Sequence, residues 1–157
     1  MSDDLVKIVI ELGEDGWLGH ETEGVWAERI SDDLYCILNS TWFAKGISFE
    51  DVVVTSEREE KLFYEHISAK SGNSTYRIML PDEDCESRFE EYWRPLEAIG
   101  CTYEGMSLGK RQLLSVNAPK STEINTAYRL LKAGEDSGVW VFEEGDCGHL
   151  ASENANW

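Results

Sequence analysis

At Pro81 the rhythm of the apolar residues changes, and that change limits what the chain can become. Before it, apolar residues alternate: Ile8, Ile10 and Leu12 in "VKIVIEL", and Tyr76, Ile78 and Leu80 in "SGNSTYRIML". A period of two puts such residues on one face of a half-buried strand. After it, Phe89, Tyr92, Trp93, Leu96 and Ile99 follow helical spacing, and Gly100 is a natural stop. Asp82 can cap this helix, with Glu83 and Asp84 near its positive end. Pro95 inside the pattern predicts a kink or a break.

The other segments fill in two halves. "GVWAERI" and "LYCILN" are separated by Ser31, Asp32 and Asp33, while "DVVVTSE" and "KLFYEHISA" flank the turn Arg58, Glu59, Glu60. Short strands with frequent turns predict a small antiparallel β-barrel or strongly bent sheet over residues 1–73. "CTYEGM" and "RQLLSVNA" read as strands joined through a Gly105–Gly109 loop. Ser121 can cap a second helix with the stripe Ile124, Ala127, Tyr128 and Leu131, and "VWVFEEG" closes the series as a strand. Counted from Tyr76 the order is strand, helix, strand, strand, helix, strand. That is the ferredoxin-like βαββαβ pattern, expected over residues 74–145, with the loop around Gly72 as the joint. The predicted class is α+β, with a flexible tail over residues 146–157.

Charge narrows the partners. The chain has 157 residues, enough for one domain or two small modules sharing a core, and 31 acids face 14 Lys and Arg, a formal net of -17. Such a charge repels nucleic-acid phosphates and anionic membranes and favours a basic protein partner. Residues 1–80 hold 16 acids and 7 bases, residues 81–157 hold 15 and 7, so the charge is spread along the chain. The start "MSDDLVKIVIELG" has no basic leader or long apolar core, and no apolar run nears the roughly 18 residues of a membrane helix. Cys36, Cys85, Cys101 and Cys147 show no CxxC spacing and read as reduced thiols, so a cytoplasmic setting is expected.

Four constellations could carry chemistry. The loop Asn73, Ser74 and Thr75 with Arg77 offers hydroxyls, an amide and a fixed cation, a set that suits an anion, and Asn39 could join it. The spacing is not that of a phosphate loop, and the same residues serve equally as a turn beside an outward Arg77 paired with a surface acid. In "NSTWFAKGISFEDVV", Trp42 and Phe43 read as a plug for the open end of a barrel, or as a pocket wall. Glu28 shares a strand face with Trp26, so a raised pKa and a general-acid role would need a second carboxylate nearby. The acid groups Asp32, Asp33, Glu57, Glu59, Glu60, Asp82, Glu83 and Asp84 read as solvated turns and a helix start that together could steer a basic partner. Histidines number three, without metal-ligand spacing, so no metal or cofactor is expected.

Across Trp26 to Pro119 the segments "GVWAERI", "LYCILNSTWFAKGISFEDVV", "SGNSTYRIML", "LEAIGCTYEG" and "SVNAP" resemble an uncharacterised bacterial family, domain of unknown function 4265. Thr41 departs from the Pro-like character such sequences have there. The resemblance implies a cytosolic bacterial protein and supplies no activity. Small acidic proteins of this sort resemble immunity proteins encoded beside secreted toxins, an analogy of class rather than motif. The expected function is therefore non-enzymatic: an immunity protein that neutralises a basic toxin domain by binding it. The alternatives are a regulatory module with an anion or metabolite site, and a hydrolase or transferase using Glu28 or a cysteine.

Overall fold

A computed structural model describes residues 5–13, 21–81 and 86–149. Among those residues the class is mixed α+β, with two sheets of five and four strands and two helices. Strands β1 (Leu5–Glu11), β2 (Thr22–Ser31), β3 (Leu34–Ile37), β4 (Val52–Arg58) and β5 (Lys61–Ala69) pair in order and close into a barrel. Closure is by a parallel seam, Ile8 against Leu62 and Val9 against Phe63, so the barrel is antiparallel everywhere except there. The alternation in "VKIVIEL" does what its period demands: Ile8 and Ile10 point inward, joining Val25, Ala27, Tyr35, Ile37 and Val53 in one apolar core.

The second sheet has the order β7-β8-β6-β9, from β6 (Ser74–Leu80), β7 (Thr102–Leu108), β8 (Arg111–Ala118) and β9 (Val141–Cys147). Helices α1 (Glu86–Ala98) and α2 (Ile124–Asp136) follow β6 and β8. Tyr76, Ile78 and Leu80 share a core with Leu114, Val116, Phe89, Trp93, Leu96, Ala127 and Leu131. Both helices therefore cover the same face of the sheet. Aromatic edges lock that layer, with Trp93 4.8 Å from Tyr103 and Phe89 5.9 Å from Trp140 between ring centroids. Gly134 is a helix-interior glycine with a packing reason, since a Cβ there would collide with the Trp140 indole.

Several local expectations change. Pro95 lies inside α1, which continues to Ala98. Ser121 is not the cap of α2: Glu123 is, its carboxylate accepting from Asn125 N at 3.3 Å and Thr126 N at 2.6 Å. Glu123 sits directly before the first helical residue, whereas Ser121 lies in the preceding turn. The Thr126 hydroxyl first, and then those backbone bonds, hold the Glu123 carboxyl below its ordinary pKa. Tyr128 is exposed rather than part of the buried stripe, and meets Phe142 edge-on at 5.6 Å. The tail does not begin at Asp146, because β9 runs to Cys147 and His149 is buried against Ser74 and Pro119. Asp82, Glu83, Asp84 and Cys85 lie outside the described residues. No helix among the described residues is long and apolar enough to cross a membrane.

Candidate functional site

Between the two apolar cores lies a polar seam, built by the chain from Asn39 to Asp51 as it leaves β3. The outer face of β6 alternates away from the helices, so Thr75 and Arg77 point at this segment. Arg77 is 1% exposed. Its guanidinium donates to Phe43 O at 3.2 Å, Thr41 Oγ1 at 2.9 Å, Ala44 O, and Glu143 Oε1 at 3.1 Å. Nε is buried without a partner. Gly145 on β9 makes room for this group, since a Cβ there would sit 2.9 Å from an Arg77 terminal nitrogen.

A buried carboxylate holds the same loop from the other side. Glu23 is 6% exposed, and it accepts from the amides of Trp42, Phe43 at 2.9 Å and Ala44 at 2.8 Å. Three converging N–H groups make an anion-binding nest, and here the anion belongs to the protein itself. Thr41 Oγ1 donates to Ala44 O, and Ser115 Oγ donates to Thr41 O at 2.7 Å. The polar Thr41 is thus a structural participant in the loop. Ala44 and Ile47 are the loop residues that complete the barrel core, a role expected of Trp42 and Phe43. Phe43 is itself buried and Trp42 half-buried.

A second network stitches the halves nearby. Asp51, fully buried, accepts from Ser48 N and Ser71 N at 2.8 Å each and pairs with Lys70 at 2.5 Å. Lys70 also pairs with Asp146 on β9 and reaches Gly46 O at 3.1 Å. Burial opposes the Lys70 charge, but the hydrogen bonds its ammonium donates to Asp146 and Asp51 prevail and hold its pKa above the ordinary lysine value. A raised folded pKa means stability fully present below the unfolded pKa and lost as pH rises through the folded one. Lys70→Gln is therefore expected to flatten the alkaline limb of a stability-versus-pH curve above about pH 10. An alkaline limb unchanged from wild type would refute this.

The five residues read as a ligand set do meet the seam, but their polar groups are committed to the fold. Asn39 Oδ1 accepts from Trp26 N at 2.7 Å and its Nδ2 donates to Ser40 O at 2.9 Å. Asn73 bridges Phe49 O and Lys120 N at 2.8 Å each. Ser74 Oγ meets His149 Nδ1 at 2.6 Å, and His149 Nε2 faces Pro119 O at 2.9 Å. A carbonyl can only accept, so Nε2 donates to Pro119 O, while Nδ1 and the Ser74 hydroxyl share the second bond. That pair has hydrolase chemistry in name, yet Ser74 is fully buried, so a substrate could not reach it. Thr75 shares a 2.8 Å bond with Ser48. Asn39 and Arg77 line two different clefts rather than one.

The cleft at Asn39 has a volume of about 270 Å³ and lies between Leu38 and Phe49 of the barrel half and Thr102, Glu104, Ser115 and Asn117 of the sheet half. The cleft at Arg77 is about 210 Å³, lined by Met79, Leu113 and Val141. Glu28 is exposed and has no hydrogen bond or ion pair among the described residues, so the paired carboxylate a general acid needs is missing there. Burial raises the Cys36 thiol, with Glu50, Glu28 and Asp51 adding to it, and burial pushes Cys101 up to about 11. Neither is a ready nucleophile at neutral pH. Among the described residues no three His, Cys, Asp or Glu side chains gather as metal ligands.

The acidic turns occupy one end of the barrel. Thr55 N donates to Asp33 O, which sets the β2–β3 turn beside β4, and β4 runs on from there to the β4–β5 turn. Arg29 pairs with Asp32, and Arg58 with Glu11, while Asp33, Glu57, Glu59 and Glu60 are exposed without an ion pair among the described residues. Glu59 and Glu60 have φ of 51° and 67°. Both centre a two-residue hairpin between the paired Arg58 and Lys61. Positive φ at both positions is what a type I′ turn requires, and Asn-Gly is the sequence that adopts it cheaply. Two glutamates there cost about 1–2 kcal/mol each.

The family description "Domain of unknown function (DUF4265)" matches residues 23–142. No curated protein matches the chain. A structure described as "Novel crystal structure of a hypothetical protein from Neisseria gonorrhoeae" superposes with a TM-score of 0.66 at 21% identity, over 92% of this chain and 96% of that one. At that identity the likeness extends to the fold alone.

Proposed function

We propose that this chain, which belongs to the domain of unknown function 4265 family, is a non-enzymatic acidic protein that docks a basic protein partner. In its most concrete form the partner is a toxin domain and the chain a cytoplasmic immunity protein that neutralises it. On this reading the ferredoxin-like half is scaffold, and the barrel end carrying Asp32, Asp33, Glu57, Glu59 and Glu60 is the docking surface.

The observation that carries the reading is the Glu59–Glu60 turn. Conformation alone would favour Asn-Gly, so the acidic pair is retained at a cost to the fold. Unpaired carboxylates at a hairpin tip are placed where complementary charge speeds encounter. The net charge of -17 points the same way.

The double substitution Glu59→Asn with Glu60→Gly tests this without risking the fold. We expect it to raise stability by about 1–2 kcal/mol in urea denaturation, the left-handed strain removed at two positions being partly offset by the residual strain of asparagine and the chain entropy of glycine. Co-expression with proteins encoded beside this chain, followed by capture, should then lose the partner that wild type retains. Capture should also weaken with salt, because exposed charges are screened. Undiminished capture or neutralisation by the more stable variant would defeat the docking surface proposed here.

A further inference from the structure

The outer face of β1 and β2 carries side chains that the barrel core does not use. Period two sends Leu5, Lys7 and Val9 outward from β1, and Gly24, Trp26, Glu28 and Ile30 outward from β2. The register sets Leu5 opposite Glu28, Lys7 opposite Trp26 and Val9 opposite Gly24. Large apolar side chains are mostly buried in this protein, yet Leu5, Trp26 and Ile30 gather here at 47%, 47% and 55% exposure. An exposed apolar cluster of this kind marks an interaction surface.

Two charges flank the indole. Lys7 leans toward Gly24, where a Cβ would meet its stem at 2.6 Å, and its ammonium lies 4.8 Å from the centre of a Trp26 ring. Glu28 lies two residues along β2 on the other side. Neither has an ion pair among the described residues, in a chain where acids outnumber Lys and Arg by 31 to 14. A row of cation, aromatic and anion is its own complement. Turned about a two-fold axis that crosses the row at Trp26, a second copy brings Glu28 to Lys7, Lys7 to Glu28 and indole to indole, and lays Val9 against Leu5.

We propose that this face docks a second copy of the chain. Each β2 then runs opposite to its mate, so the acidic turns at Asp32 and Asp33 lie at opposite ends of the pair. The net charges still repel, but at 0.15 M salt the Debye length is about 8 Å, which screens distant acids and spares the pairs in contact. The patch is smaller than the roughly 20–30 residues a side of a standard interface, so the dimer is weak and reversible. This pairing is independent of the basic partner proposed above, which would dock at the turns.

Sedimentation velocity of the full chain from roughly 1 μM to 1 mM tests this. A reversible rise from monomer toward dimer is expected. Trp26→Ser should weaken it by about tenfold or more, as the loss of a central aromatic anchor does. Lys7→Glu leaves two acids in each row and Glu28→Lys two cations, so each variant alone should stay monomeric. Mixed together they should form a heterodimer, because every acid then meets a lysine, and that recovery also shows both variants to be folded. Wild type that remains monomeric at about 1 mM, a dimer undiminished in Trp26→Ser, or single variants that fail to associate when mixed would each overturn the proposal.

Discussion

Replacing Arg77 with methionine is expected to destabilise the protein by about 3–5 kcal/mol, the cost of removing one partner from a buried charged network. Methionine keeps the unbranched stem of the side chain, so the loss falls on the guanidinium and the space it filled. The groups left behind explain the magnitude. Glu143 is partly exposed and can be hydrated, but Phe43 O and Ala44 O face the buried site from which the guanidinium would be gone. Ala44 O keeps the Thr41 hydroxyl as a donor, so the loss falls on the four bonds that the guanidinium itself donates. Urea denaturation measures the change, and a loss below about 1 kcal/mol would show that the loop is held by other means.

Glu23→Ala is the second large effect, at about 3 kcal/mol or more, because each amide left without an acceptor in a buried site costs about 1–3 kcal/mol. Three amides lose their acceptor at once, those of Trp42, Phe43 and Ala44. Glu23→Gln should cost less, since one amide oxygen still accepts. The two residues hold one loop from opposite sides, so their effects should not add. Once either is gone the loop is already released, and the double substitution should cost clearly less than the two single losses together. Strict additivity would mean that Glu23 and Arg77 stabilise different parts of the structure.

Much of this arrangement was legible before any coordinates. The alternation of Ile8 with Ile10 and of Tyr76 with Ile78 and Leu80 is a local property, and it fixed which side chains face a core. Glu23 was legible too, though its signal was missed: it shares the inward parity of Val25 and Ala27 on β2. An acid on a core-facing position is a sign that something must satisfy it. Asp51, in "SFEDVV", carries a weaker sign as an acid directly before an apolar strand. Its partner Lys70 lies 19 residues away, and the second carboxylate on Lys70, Asp146, lies 76 residues beyond that lysine, outside any local pattern. Glu59 and Glu60 could be placed in a turn from sequence, but their positive φ is a backbone fact.

Arg77 marks the boundary between the two kinds of knowledge. Alternation alone sends it to the face opposite the helices, and a charged residue there reads as solvated. That inference fails because the face is covered, by a loop that ends a strand some thirty residues earlier. By itself, then, the sequence determined the strands and helices, their order, the alternating and helical positions that supply much of the two apolar cores, and the sign of the charge. Each of these depends on neighbours a few positions away, where periodicity and turn chemistry operate. The tertiary structure alone decided that the Asn39–Asp51 segment lies over the second sheet, burying Arg77 and opening the cleft at Glu104 and Asn117. Which element covers a sheet face depends on the path of the whole chain, and hydrophobic rhythm does not encode that path.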